Sequence, residues 1–110
     1  MQIHFHWDDD GSPRARAKGR GQALAGFLES DLQDSPAAAR EVLHALDRVE
    51  SGHAPSWERT GNAYTLTLSP QGATIQDEQA EDAEPQTLPL ADLREALSGW
   101  ASFLEVGRKS

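Results

Sequence analysis

Ser56-Trp57-Glu58-Arg59-Thr60-Gly61-Asn62-Ala63-Tyr64-Thr65-Leu66-Thr67-Leu68 is the stretch that decides the fold class. Its β-branched and aromatic residues suit a pleated surface, and Gly61-Asn62 interrupts them where the chain can reverse. Two antiparallel strands around a glycine turn follow. Pro70-Gln71-Gly72 makes a second turn and Ala73 to Asp77 a third strand, so the connections have hairpin length and the three strands form a meander.

Toward the N-terminus the apolar period changes from two to nearly four. Val42, Leu46 and Val49 fall at i, i+4 and i+7, supported by Ala38, Ala39 and Leu43, which is one face of a helix. Asp34-Ser35-Pro36 starts it, because Ser35 can accept from free amides and Pro36 has no N–H to lose in the first turn. Ser51-Gly52 ends it, with glycine suited to the left-handed position. An earlier helix from about Gln22 to Gln33 carries Leu24, Phe27, Leu28 and Leu32, and Gly26 weakens it.

Before that helix, Ile3, Phe5 and Trp7 alternate with His4 and His6, the period of a half-buried strand. Asp8-Asp9-Asp10-Gly11-Ser12-Pro13 turns the chain back, and Arg14, Arg16 and Lys18 then alternate with Ala15 and Ala17. The second strand of this hairpin carries a basic outer stripe beside His4, His6 and Asp8.

Beyond the meander, five of the eight residues from Asp77 to Glu84 are acidic and none is basic, so the segment reads as a solvated loop. Leu88-Pro89-Leu90 reads as a brief edge strand or extended segment. Leu93, Leu97, Trp100 and Leu104 then mark one face of a C-terminal helix from about Ala91 to Glu105. The expectation is one α+β domain spanning residues 1–110, an antiparallel sheet of about five strands with the three helices packed on one side.

Charge restricts the partners. Eighteen acidic against ten basic residues give a net charge of −8 and a pI near 4.8, so the average surface repels nucleic acid and anionic lipid and attracts a basic protein. Without cysteine there is no disulfide framework and no thiolate chemistry. The N-terminus lacks an export-signal pattern and no apolar run approaches bilayer length, which points to the cytoplasm.

Enzyme signals are weak. His4, His6 and Asp8 share a strand face at i, i+2 and i+4, a spacing that permits a divalent metal, but the opposing Arg14 and Arg16 repel one. His44 and His53 have no sequence-local catalytic partner, and Gly19-Arg20-Gly21 lacks the dinucleotide fingerprint. The spacing of the acidic loop is not that of a calcium-binding loop. Trp7, Trp57 and Trp100 read as packing residues, with Trp57 expected to be the least buried. The residues expected to meet a partner are Asp77, Glu78, Glu81, Asp82 and Glu84 of the loop, with Asp8, Asp9 and Asp10 of the hairpin turn; no catalytic residue, metal or cofactor is assigned.

The segment from Ser56 to Leu66 resembles the S-W-x-R-x-G-x-x-Y-T-L segment of the YacL family of small bacterial proteins, matching at Ser56, Trp57, Arg59, Gly61, Tyr64, Thr65 and Leu66. The order of hairpin, two helices, meander, acidic loop and final helix is similar as well. The resemblance implies a fold and an intracellular bacterial setting, without an activity to carry over. By type, small size and acidity also resemble the immunity proteins of contact-dependent growth inhibition. That resemblance implies an inhibitor that occludes the active site of a basic nuclease toxin, probed against the alternative of a YacL-like housekeeping or regulatory protein.

Overall fold

The computed structural model describes residues 2–19, 21–80 and 82–109, with residues 108 and 109 as backbone alone. The chain runs through β1 (His4–Trp7), β2 (Pro13–Arg16), α1 (Gly21–Phe27), a π-helical turn (Leu28–Leu32), α2 (Pro36–Glu50), β3 (Trp57–Thr60), β4 (Tyr64–Ser69), β5 (Gly72–Asp77), β6 (Gln86–Leu88) and α3 (Leu90–Lys109).

The fold is mixed α and β with three helices, but the described strands make two antiparallel sheets and not one sheet of about five strands. One sheet is the β1–β2 hairpin, and the other has the order β3-β4-β5-β6. Two local features keep them apart. The free edge of β5 is taken by β6, which pairs Ala73 with Leu88 and Ile75 with Gln86. The outer edge of β2 is closed by Pro13, which has no N–H, and by Glu29, whose Oε1 accepts the Ala15 N–H at 2.7 Å. β6 also lies two residues earlier than the extended Leu88-Pro89-Leu90 segment expected, because Pro89 cannot donate to a ladder and ends it.

The inner face of the larger sheet presents Leu66 and Leu68 from β4, Ala73 and Ile75 from β5 and Leu88 from β6, all buried. Across these strands α1 and α3 lie on β5 and α2 on β4. The helical stripes meet them: Leu24, Phe27, Leu28 and Leu32, then Val42, Leu46 and Val49, then Leu93, Leu97, Trp100 and Leu104 are all 0–1% exposed. Each such leucine contributes about 2 kcal/mol by leaving water. The opposite face is a polar surface on which Thr60 meets Thr65 and Thr74 meets Thr87.

Ser35 caps α2 as its sequence predicts, its Oγ accepting the Ala38 N–H at 3.1 Å. α2 and α3 are tied at the surface by Arg94, which pairs with Asp47 and Glu50, and by Arg40 with Glu105. α3 continues past Glu105 to Lys109, because its last turns seat the hairpin. Phe5 meets Trp100 edge-on at 5.3 Å between ring centroids, and Trp7 stacks on Phe103 at 4.9 Å. Trp7 is the most open tryptophan at 40% exposure, Trp57 is half-buried and Trp100 is fully buried. The expectation for Trp57 is therefore reversed: its neighbours α2 and Ala54 partly cover it, whereas Trp7 at the end of a two-stranded sheet has a helix on one side only.

Candidate functional site

The Ser56–Leu66 segment folds around a residue from elsewhere in the chain. Asp31, in the π-helical turn, is buried, and its carboxylate accepts the N–H groups of Ala63 at 3.0 Å and Tyr64 at 3.2 Å. Arg59 places Nη1 3.9 Å from the same carboxylate and donates from Nη2 to the Asp31 carbonyl at 3.4 Å. Asn62 donates to the Ser30 carbonyl at 2.9 Å. A Cβ at Gly61 would run into the Asp31 carboxylate and the Arg59 guanidinium, so glycine is required by close approach. The Tyr64 hydroxyl fills the space that a side chain at Gly26 would need. Gly26 thus weakens its helix intrinsically and admits the tyrosine in return. Arg59, Gly61 and Tyr64 are a structural joint between the helical layer and the β3–β4 turn.

Tyr64 also faces the acidic segment. Beside it a cleft of about 240 Å³ is lined by Asp77, Glu84, Gln22 and Ile75. The phenol pKa is raised above its ordinary value, first by burial and then by the negative charges of Asp77, Asp31 and Glu29. Asp77, where the third strand and the acidic run were expected to meet, is the last residue of β5 and is half-buried, so of the expected loop carboxylates it belongs to the sheet. Its Oδ1 accepts the Gln79 N–H at 2.9 Å, the Glu78 N–H donates to the Ala63 carbonyl at 2.8 Å, and the Gln76 amide donates to the Ala83 carbonyl at 3.1 Å. The backbone of the segment is therefore pinned to the sheet. The side chains of Glu78, Asp82 and Glu84 are exposed, and Glu81 lies outside the described residues.

The other acidic group is more occupied. Asp8 receives the Arg14 Nε at 3.0 Å and the Asp9 N–H at 3.2 Å. Asp10 accepts the Ser12 N–H at 3.0 Å, and its pKa is lowered chiefly by this backbone bond, with the Ser12 side chain and Arg14 adding to it. The triad stands at the closed end of the hairpin, while the cleft meets Gly19 just past its open end. The two acidic groups are separated by the length of β2.

His4 lies opposite Arg16 and His6 opposite Arg14. Among the described residues no three His, Asp or Glu side chains come close enough to hold a metal ion. His44 is exposed in a shallow groove with Arg48 and Trp57, and His53 shares a hydrogen bond of 2.6 Å with the Ser51 hydroxyl. Among the described residues no helix is long and apolar enough to cross a membrane.

Asp31 and Tyr64 carry more of this arrangement than the residues singled out from sequence. Asp31 had a readable signal: with Leu24, Phe27, Leu28 and Leu32 it falls on the apolar stripe at i+7, where a carboxylate needs a buried partner.

Residues 1–94 match the family model described as "Uncharacterised protein family (UPF0231)". The chain is similar to a UPF0231 protein of Shewanella amazonensis, 31% identical over 86% of this chain and 89% of that one. It is also similar to a UPF0231 protein of Shewanella oneidensis, 29% identical over 78% of this chain and 82% of the relative. No solved structure matches. With residues 1–94 matched by the family model and a relative 31% identical over most of both chains, the chain belongs to the UPF0231 family, the YacL-like group of small bacterial proteins.

Proposed function

We propose that this UPF0231 protein works by binding a basic protein partner and not by catalysis. The observation that carries the reading is the pinned acidic segment. Glu78, Asp82 and Glu84 are exposed on a segment whose backbone is fixed to the β3–β4 turn at Ala63 and to β5 at Gln76, and none forms an ion pair among the described residues. Carboxylates held in place without internal partners lose less entropy on meeting lysine or arginine than the same charges on a free tail.

Family membership supports the reading as a YacL-like protein, whose role is not established, over the narrower one. The narrower reading, an immunity protein that occludes a basic nuclease toxin, rests on size and acidity alone and stands second.

The test is affinity capture from the native host with the wild-type chain and with a Glu78→Gln, Asp82→Asn, Glu84→Gln variant. A basic protein retained by the first, lost from the second and released by salt supports the reading. Recovery that is indifferent to both changes sinks it. A captured fragment of a secreted toxin would move the assignment to the immunity reading.

A further inference from the structure

We infer that the free edge of β1 and the adjacent stripe of α3 form a groove that receives an extended peptide strand from a partner, with alternate residues apolar and a basic residue at one end. Three observations carry this, and none involves the acidic loop.

The first is the edge itself. The Ala15 N–H turns away from β1 to Glu29, while the Asp8 N–H donates back to the Ser12 carbonyl. By the alternation of antiparallel pairs, His4, His6 and Asp8 exchange hydrogen bonds with the returning chain, and Phe5 and Trp7 direct their N–H and C=O groups to the other side. No described strand pairs there. The β2 edge is closed by Pro13 and Glu29; the β1 edge has neither device.

The second is the wall. Two depressions share Phe5 and Gly99 and so run on from each other, one reaching Ile3, Asp92 and Glu95, the other Trp7, Ser102 and Val106. Asp92, Glu95, Gly99, Ser102 and Val106 follow one side of α3 at spacings of three and four. From Asp92 to Val106 this is about 21 Å of helix, the length of about six strand residues. The large hydrophobic side chains left exposed among the described residues are Trp7 at 40% and Val106 at 69%, and both stand on this wall. A strand laid beside β1 covers them with every second side chain, the geometry by which strand–helix grooves read peptides.

The third is charge. Asp92 and Glu95 at the Ile3 end form no ion pair among the described residues. A lysine or arginine on the incoming strand meets them there, and an acidic peptide is repelled.

The test uses the intact chain and random heptapeptides displayed on phage, with the best binder then measured as a free peptide. Selected peptides should alternate apolar residues and carry lysine or arginine at one end, and binding should protect the Phe5 and Trp7 amides from hydrogen exchange. Ser102→Lys with Val106→Lys changes two exposed positions and should leave the melting temperature in place while weakening binding about tenfold or more. Replacing the central apolar residue of the peptide by proline should weaken it as well, because a ladder donor is lost.

No enrichment above background, enrichment without alternation, or binding indifferent to the lysine pair overturns the inference. So does a concentration-dependent dimer dissolved by the lysine pair, which would make the groove a contact between two copies. The Glu78→Gln, Asp82→Asn, Glu84→Gln variant should bind the selected peptides normally, so the fate of this groove and that of the acidic-loop reading are decided separately.

Discussion

Asp31 and Ala63 are 32 residues apart in sequence and joined by one hydrogen bond of 3.0 Å, from the Ala63 N–H to the Asp31 carboxylate. The bond fixes the β3–β4 turn against the helical layer, and Tyr64 and Arg59 gather around the same carboxylate.

Removing that carboxylate strands three groups at once. Asp31→Ala leaves two amides without an acceptor and the Arg59 guanidinium without its counter-charge, at a cost of about 3 kcal/mol. Asp31→Asn retains one acceptor oxygen and should cost roughly half as much. Urea unfolding measures both, with an unchanged slope showing that the fold itself persists.

Gly26 and Tyr64 should be energetically coupled. Gly26→Ala improves helix propensity by about 1 kcal/mol, yet its methyl meets the Tyr64 hydroxyl, so the net effect should be a loss of about 1 kcal/mol or more. In a Tyr64→Phe background the nearest atom is gone but the ring edge stays 2.9 Å away, so the same change should cost less than in the wild-type chain without becoming free. A double-mutant cycle reads the difference.

Gln33 holds φ at 55° and ψ at −138°, a region glycine adopts with far less strain. Trp100 helps to hold it there, donating from Nε1 to the Gln33 carbonyl at 2.9 Å. Gln33→Gly should therefore stabilise the chain by about 1 kcal/mol, less whatever the exposed side-chain bond to the Ser30 carbonyl contributes. Thermal unfolding of the two proteins is the check.

Tyr64 is the single tyrosine, and its phenol is raised above 10.0 in the fold. The unfolded chain therefore releases the proton first as pH increases. The stability due to the neutral phenol is complete below about pH 10 and is lost as pH rises through the folded value. Phenolate absorbance should titrate later in the native protein than in urea, and Tyr64→Phe should flatten the alkaline fall in melting temperature.

Most of the elements were legible because their signals are local. Ser35-Pro36 starts α2 through contacts within one turn, and the Leu93, Leu97, Trp100 and Leu104 spacing specifies a buried face without reference to its partner. The division into two sheets was not, since it depends on Glu29 reaching Ala15 across the fold. Nor was the exposure of Trp7: alternation puts it on the same face as Phe5, but only the position of α3 decides how much of each ring is covered. Of the site, the acidic composition of residues 77–84 was evident, whereas its attachment to Ala63 and its nearness to Tyr64 arise from the pairing of β4 with β5.

The π-helical turn that presents Asp31 closes from the Gln33 N–H to the Leu28 carbonyl, spanning one residue more than an α-helical turn. A single-residue deletion between Leu28 and Leu32 would return the segment to α-helical pitch. Relative to the helix before it, every later side chain would turn by about 100°. The carboxylate would leave Ala63 even with its chemistry intact. The joint therefore depends on the number of residues between Leu28 and Gln33 as much as on the aspartate itself, and a change of length there should cost more than a substitution at a less buried position of the turn such as Ser30.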